Sequence, residues 1–600
     1  MPNFELIIKS MTMKTNRIIL FSVLACVLAG CQDKVEYEVR TDVQNKAFYK
    51  DLFMDTGMHM SSYRTMPVID YLSLDYEYFF APEWTDENQA IQSLAYCGSE
   101  EDENGVLLYP DGQPRFKLIY VNGGLASSHG RSLMAKGRNN YRQFVREGGS
   151  YIGSCAGAFL ASYGLYVEGR TRRGYLGIWP GLANNTGFTD DYSYDIPAES
   201  PVLQYYDLGG DNSIEKIHHE NGPFFSQWQS VEGTEVLTLN KAEGHQNAGQ
   251  PGASAYKENV FSGRVIPSGE HPEQVPDGEV RDLMAAYVRY ALDGTGVAKA
   301  KAALNNGETV MMDKSTGDRD PQHTMIGDKQ CHHFVFALPK GATDVCIRLE
   351  SLKDCNLSLF LADGTFAFRD DAKYKVENAE SVKELAFDSL EEGLWYVGVQ
   401  SEETVECEFG EHGYVYSGKT WLLNGAPYSI SVSWNRKSKR VPSVKLAGPE
   451  FSGNALLATG ADFNEYLKQL IDPKARVSNT DSTITKIVFC TGNNSTEGVR
   501  VDDIRSSVPV YASIDDKGTV TVTTPANEIV ANADASFMFA DFLALTSVEN
   551  LAAVRTSGTK YFNEMFSGSV NFVKVDSTAL FDMSKAETTG DMFLNCKDPE

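Results

Sequence analysis

Basic charge, disulfide spacing and long apolar runs are all scarce in this 600-residue chain. Lys and Arg total 54 against 81 Asp and Glu, a net charge of −27. Glu5, Lys9, Lys14 and Arg17 make the first thirty residues +2, so the remainder carries −29. A body this acidic repels a phosphate backbone, which argues against nucleic acid as a partner. It does not select a substrate. Of the ten cysteines, Cys26, Cys31 and Cys155 have readings of their own, and the other seven are an odd number without framework spacing. That excludes a disulfide-stapled fold, although an oxidising compartment leaves room for a pair among Cys331, Cys346, Cys355 and Cys407. The apolar run Ile18 to Leu28 falls well short of the ~20 residues that span a bilayer.

That run is instead the core of a secretory leader. Residues 1–12 read as an upstream start, and Met13-Lys14 with Arg17 supplies the positive region. Leu28-Ala29-Gly30-Cys31 closes the leader and resembles a bacterial lipobox. The resemblance implies removal of residues 1–30, lipidation of Cys31 and anchorage in the outer or cytoplasmic membrane, with residues 31–47 as a tether. Asp33 and Glu36 in Gln32-Asp-Lys-Val-Glu-Tyr-Glu resemble the surface-export pattern of Bacteroides-type lipoproteins. The expected location is the cell envelope, outside the cytoplasm, on either face of the outer membrane.

The best candidate for chemistry is Gly148-Gly-Ser-Tyr-Ile-Gly-Ser-Cys-Ala-Gly-Ala-Phe-Leu-Ala-Ser162, a short strand entering a small-residue turn with Cys155 at its tip. Lifting a nucleophile out of a strand demands a sharp turn into a helix, and Gly153 and Gly157 tolerate the torsions and close approach involved. A thiol at a helix N-terminus also favours the reactive thiolate. The plain alternative is a core cysteine in an ordinary α/β turn. Phe261-Ser-Gly-Arg-Val-Ile-Pro-Ser-Gly-Glu-His271-Pro272-Glu273 adds a strand followed by His-x-Glu, the spacing that orients an imidazole with a carboxylate.

Together these stretches resemble a class I glutamine amidotransferase domain. With Glu220-Asn-Gly-Pro-Phe-Phe225 between them, the resemblance sharpens to the amidotransferase-like domain of the biotin-protein ligase N-terminal type, over residues 48–296. It implies Cys155 as nucleophile, His271 as general base and Glu273 as its orienter. The oxyanion hole would combine the Ala156 N–H with one from the turn at Gly123 and Gly124. The chain departs from the related peptidase and chaperone branch in having Ala156 where a histidine commonly follows the cysteine. Neither a metal nor a cofactor is called for. His218 and His219 are adjacent on a strand and face opposite ways, which suits structural or pocket-lining roles rather than a shared metal. Cys331-His332-His333 has no partner cluster and reads as non-functional.

Strands at Lys50 to Met54, Tyr76 to Phe80, Lys117 to Val121 and Tyr151-Ile152 alternate with helices at Met66 to Leu74, Asn139 to Glu147 and Val280 to Leu292. The order predicts a flavodoxin-like, doubly wound parallel sheet with its site outside the carboxyl ends of the strands. From about residue 305 the apolar period changes to two. Residues 297–440 therefore read as an antiparallel β-sandwich, and Leu357 to Phe368 with Phe387 to Gln400 resembles the pre-peptidase C-terminal type. Residues 441–530 read as a β-rich lead-in. Over 531–600, Met538-Phe539, Met565-Phe566 and Met592-Phe593 recur every 27 residues, a period that implies stacked solenoid-type units. These resemble BspA-like leucine-rich-type surface repeats, with the array either ending raggedly or continuing in a longer chain.

Two classes of function follow. One is a lipid-anchored thiol hydrolase acting on the C–N bond of a small amide or peptide-like substrate. With no synthase half to receive ammonia, hydrolysis is expected rather than amide transfer, and with no ligase catalytic domain there is no biotin transfer. The other is a non-catalytic surface adhesion protein whose sandwich and repeats bind a host or surface ligand.

Overall fold

The computed structural model describes residues 35–599 apart from 57–62, 82, 166–172, 186, 188, 226–227, 242–246 and 437–441. The leader and Cys31 lie outside the described residues. The α/β region contributes strands β1 (Lys50–Asp55), β2 (Tyr76–Phe79), β3 (Phe116–Val121), β4 (Ser150–Ser154), β5 (Thr189–Asp195), β6 (Ser213–Glu220), β7 (Glu235–Asn240), β8 (Pro251–Ala255) and β9 (Val265–Ser268). Its helices are α1 (Pro67–Leu72), α2 (Asp86–Cys97), α3 (Ala126–Ser132), α4 (Met134–Arg146), α5 (Ala156–Ala161) and α6 (Gly278–Leu292).

One sheet runs β2-β1-β3-β4-β9-β8-β7-β5-β6. The five strands from β2 to β9 are parallel. Their side chains alternate between two cores, as the two-residue period of a strand requires. Phe53, Ile119, Tyr151 and Val265 pack with residues of α2, α4 and α5, while Leu52, Leu118, Ile152 and Ile266 pack with residues of α1 and α6. The expectation of a wholly parallel sheet is corrected beyond β9, where β8, β7, β5 and β6 are antiparallel. Parallel neighbours need a long crossover, usually helical. Among the described residues from 189 to 268 the only helices are short 3-10 turns, so the chain returns by hairpins.

Residues 302–435 form a five-stranded and a four-stranded sheet enclosing Phe334, Phe336, Leu359, Val397, Ile347 and Ile430. A hairpin from this region, Glu406–Gly410 and Gly413–Ser417, leaves it to pair antiparallel with β2, extending the α/β sheet. Phe409 stacks on Tyr78 at 4.6 Å between centroids. Buried Arg115 seals the junction, 3.2 Å from Asp328 and against the ring of Tyr416. Cys331, Cys346, Cys355 and Cys407 are free thiols.

The segment read as a β-rich lead-in also holds a helix, α7 (Gly460–Gln469), with Thr459 accepting from the Asp462 N–H at its start. It packs on α4. After it, backbone hydrogen bonds link Phe539 to Met565 and Phe566 to Met592, and the rings of Phe539, Phe566 and Phe593 stack at 5.0 and 5.2 Å.

Candidate functional site

The site forms where three neighbouring parallel strands end. In register, Val121 of β3 lies beside Gly153 of β4, and Ser154 of β4 beside Ser268 of β9. The segments that follow carry Gly123 and Gly124, Cys155, and His271 respectively.

Cys155 is the residue before α5, at φ 49° and ψ −105°. Such a backbone costs a non-glycine residue about 1–3 kcal/mol and persists only where the surroundings impose it. Here they do. The Cys155 N–H donates to the Ser268 carbonyl at 2.8 Å, and the Gly157 N–H to the Asn122 carbonyl at 3.1 Å. A Cβ on Gly153 would lie 2.4 Å from the Gly157 carbonyl carbon, and one on Gly157 would lie 2.3 Å from the Val121 oxygen. Both contacts are with backbone, so only glycine fits. Ala156 opens α5, and its N–H therefore has no intrahelical acceptor.

His271 is mostly buried, and its backbone N–H donates to the His218 carbonyl at 2.9 Å. Its Nδ1 lies 2.9 Å from Glu273 Oε1, and Glu273 is 3 % exposed. The other ring nitrogen, Nε2, is buried without a hydrogen-bond partner. Burial disfavours the imidazolium, yet Cys155 and Glu273 outweigh it and push the ring up to about 11. The Cys155 thiol itself donates to the Glu220 carbonyl at 3.3 Å.

The structure thus brings Cys155, His271 and Glu273 into one cluster, with Gly123, Gly124 and Ala156 on the adjoining turns. His218 and His219 do face opposite ways. His218 is exposed beside Asp191 at 3.1 Å, and His219 is buried, stacked on Phe224 at 4.8 Å. Cys331-His332-His333 lies in the sandwich, away from this cluster. Among the described residues no group of three His, Cys, Asp or Glu side chains is placed to hold a metal.

Three features escaped the sequence reading. Asp55, at the end of β1, lies 2.7 Å from His129 Nε2 and accepts from the Tyr141 hydroxyl, while its carbonyl takes the Asn122 N–H at 3.2 Å. This buried cluster props the turn at Gly123. Glu270 is wholly buried next to His271. The Glu220 carbonyl touches the thiol. No residue-type pattern marks a backbone carbonyl, whereas an Asp at a strand end facing a helix His was a signal available to be read.

An α/β sheet with a thiol elbow and an adjoining His-Glu pair is the arrangement expected of an amidotransferase-like domain. Residues 106–291 match the family model described as biotin-protein ligase, N terminal, and form a domain of that type. The match opens at Val106, although β1 and β2 belong to the same sheet. Among curated proteins the chain is 25 % identical over 200 residues to an uncharacterized protein of Chlamydia muridarum (strain MoPn / Nigg), covering 31 % of this chain and 73 % of that one. Among solved structures it is similar to a glutamine amidotransferase, at 17 % identity and TM-score 0.22, covering 35 % of this chain and 95 % of the other. It is also similar to the pre-peptidase C-terminal domain of a Bacillus anthracis collagenase, at 14 % identity and TM-score 0.15, covering 23 % and 98 %.

Proposed function

We propose that this chain is a thiol hydrolase that cleaves a carbon–nitrogen amide bond through Cys155, His271 and Glu273. The observation that carries the reading is the strained elbow at Cys155 beside an imidazole fixed by Glu273 at 2.9 Å and otherwise unpartnered at Nε2. In the reaction the thiol proton passes to His271 Nε2 and sulfur attacks the acyl carbon. The N–H of Ala156, with one from the Gly123-Gly124 turn, holds the developing oxyanion. His271 returns the proton to the departing nitrogen, and water, deprotonated by the same imidazole, releases the acid.

The lipobox-like tetrad supports a lipid anchor at Cys31 and a place in the cell envelope. Hydrogen bonds linking residues 26 apart between 537 and 594 support reading residues 531–600 as stacked repeats that hold a surface ligand.

The reading is tested by iodoacetamide labelling of the purified mature protein at pH 6, where ordinary thiols are almost wholly protonated. Cys155 is expected to react ahead of the other cysteines, and His271→Ala to remove that lead. Equal labelling of Cys155 and Cys490, a partly buried free thiol, would overturn it.

A further inference from the structure

The Glu220 carbonyl is fixed rather than incidental. Its strand, β6, is tied to the segment carrying His271 by the bond from the His271 N–H to the His218 carbonyl and by pairing of His219 with Glu270. Just beyond, the Gly222 and Gly269 backbones are in contact, since a Cβ on Gly222 would lie 2.1 Å from the Gly269 oxygen. Asn221 takes φ 52° to make this turn. The carbonyl is therefore held on the His271 side of Cys155. The turn at Gly123 and Gly124, which follows β3, flanks the thiol from the other side. An acyl group whose oxygen enters the Ala156 and Gly123 side has its leaving group toward His271 and Glu220.

While Cys155 carries its proton, this carbonyl accepts a hydrogen bond from the thiol at 3.3 Å. Once that proton has moved to His271 Nε2, the carbonyl has lost its donor at the moment the S–C bond forms. A leaving nitrogen that bears hydrogen replaces it. An ester oxygen sets lone pair against lone pair, and a tertiary amide offers nothing to donate. A site built to receive an N–H rejects analogues lacking one, because its own polar group is left unpaired.

We propose that the Glu220 carbonyl is a specificity element that accepts the scissile N–H, so that the substrates are primary or secondary amides rather than esters or tertiary amides. The inference rests on the thiol-hydrolase reading. In each turnover the S–C bond forms and the C–N bond breaks. The thiol proton ends on the departing amine, which leaves through the hydrogen bond to Glu220.

Three acyl donors test it on the full mature chain: p-nitrotrifluoroacetanilide, its N-methyl derivative, and p-nitrophenyl trifluoroacetate. Chromophore release dependent on Cys155, taken against Cys155→Ala, is compared with release by glutathione. The anilide is expected to gain at least tenfold over both others relative to their order with glutathione. Loss at the N-methyl compound alone would mark simple crowding and overturn the inference, as would relative rates matching glutathione within twofold. Either leaves the hydrolase reading standing. Release no faster than with Cys155→Ala, together with a thiol that labels like Cys490, would overturn both.

Discussion

Arg138 and Asp462 stand 324 residues apart in the chain, and their side chains meet at 2.6 Å with neither exposed to solvent. Glu465 lies 3.0 Å from the same guanidinium, and Arg142 reaches Asp462 at 2.5 Å. The network joins α4 to α7. Since α4 leads through a tight turn into β4, it also anchors the element from which Cys155 projects. Burial opposes every charge here, but Arg138 is raised and Asp462 lowered by the pairing.

Removing Asp462 leaves the Arg138 and Arg142 guanidiniums with Glu465 as the one carboxylate of the network, and breaking a buried pair in this way costs about 3–5 kcal/mol. Asp462→Ala is therefore expected to lower the midpoint of thermal unfolding sharply. Replacing both partners with apolar residues, Arg138→Met with Asp462→Leu, is expected to be milder than Asp462→Ala. A double-mutant cycle on the midpoints measures the coupling. A single variant with an unchanged midpoint would mean that water reaches the pair.

The elbow glycines make a second prediction. Gly157→Ala forces a methyl to within 2.3 Å of the Val121 oxygen, and the obstacle is backbone in the sheet rather than a side chain able to rotate away. Overpacking of this kind costs about 1–3 kcal/mol. The turn is expected to shift enough to cut iodoacetamide labelling of Cys155 at least tenfold while circular dichroism stays native. Labelling at the original rate would show that the thiol does not depend on the turn.

Much of the site was legible because its chemistry is written in local patterns. Gly153-x-Cys155-x-Gly157 and His271-Pro-Glu273 each place the candidate residues within a few positions of one another. The parallel core was legible for the same reason, as short apolar strands alternating with helices. The antiparallel half was not, since alternation read near β1 to β4 says nothing of hairpins between β5 and β9. The hairpin at 406–417 joins a sheet more than 300 residues away, and no local signal encodes that pairing. The start of α4 was read at Asn139 instead of Met134. The residue preceding it is Leu133, which offers no capping side chain, so the usual polar marker of a helix start is missing. By contrast α7 was overlooked although Thr459, with Phe463, Tyr466, Leu467 and Leu470 at helical spacing, announces it.

Glu270 gives a prediction whose sign depends on pH. Its side chain is completely buried, with the Thr238 hydroxyl donating to Oε1 and the Tyr287 hydroxyl to Oε2 at 3.1 Å. Burial is the largest influence, and it outweighs both donors to push the carboxyl up to about 7. A carboxyl raised on folding stabilises the fold below its unfolded value of about 4.3 and loses that contribution as pH rises toward 7. Above pH 7 the folded chain must hold a buried carboxylate, at a cost of about 4 kcal/mol. Glu270→Gln keeps the shape and removes the charge. It is expected to leave the melting temperature unchanged at pH 4.5 and to raise it at pH 8, with the difference developing between those values. The same gain at both pH values would mean that packing, not ionisation, sets the difference. A loss at pH 8 would mean that the carboxylate is the form the fold prefers, stabilised by Thr238 and Tyr287 beyond the reach of burial.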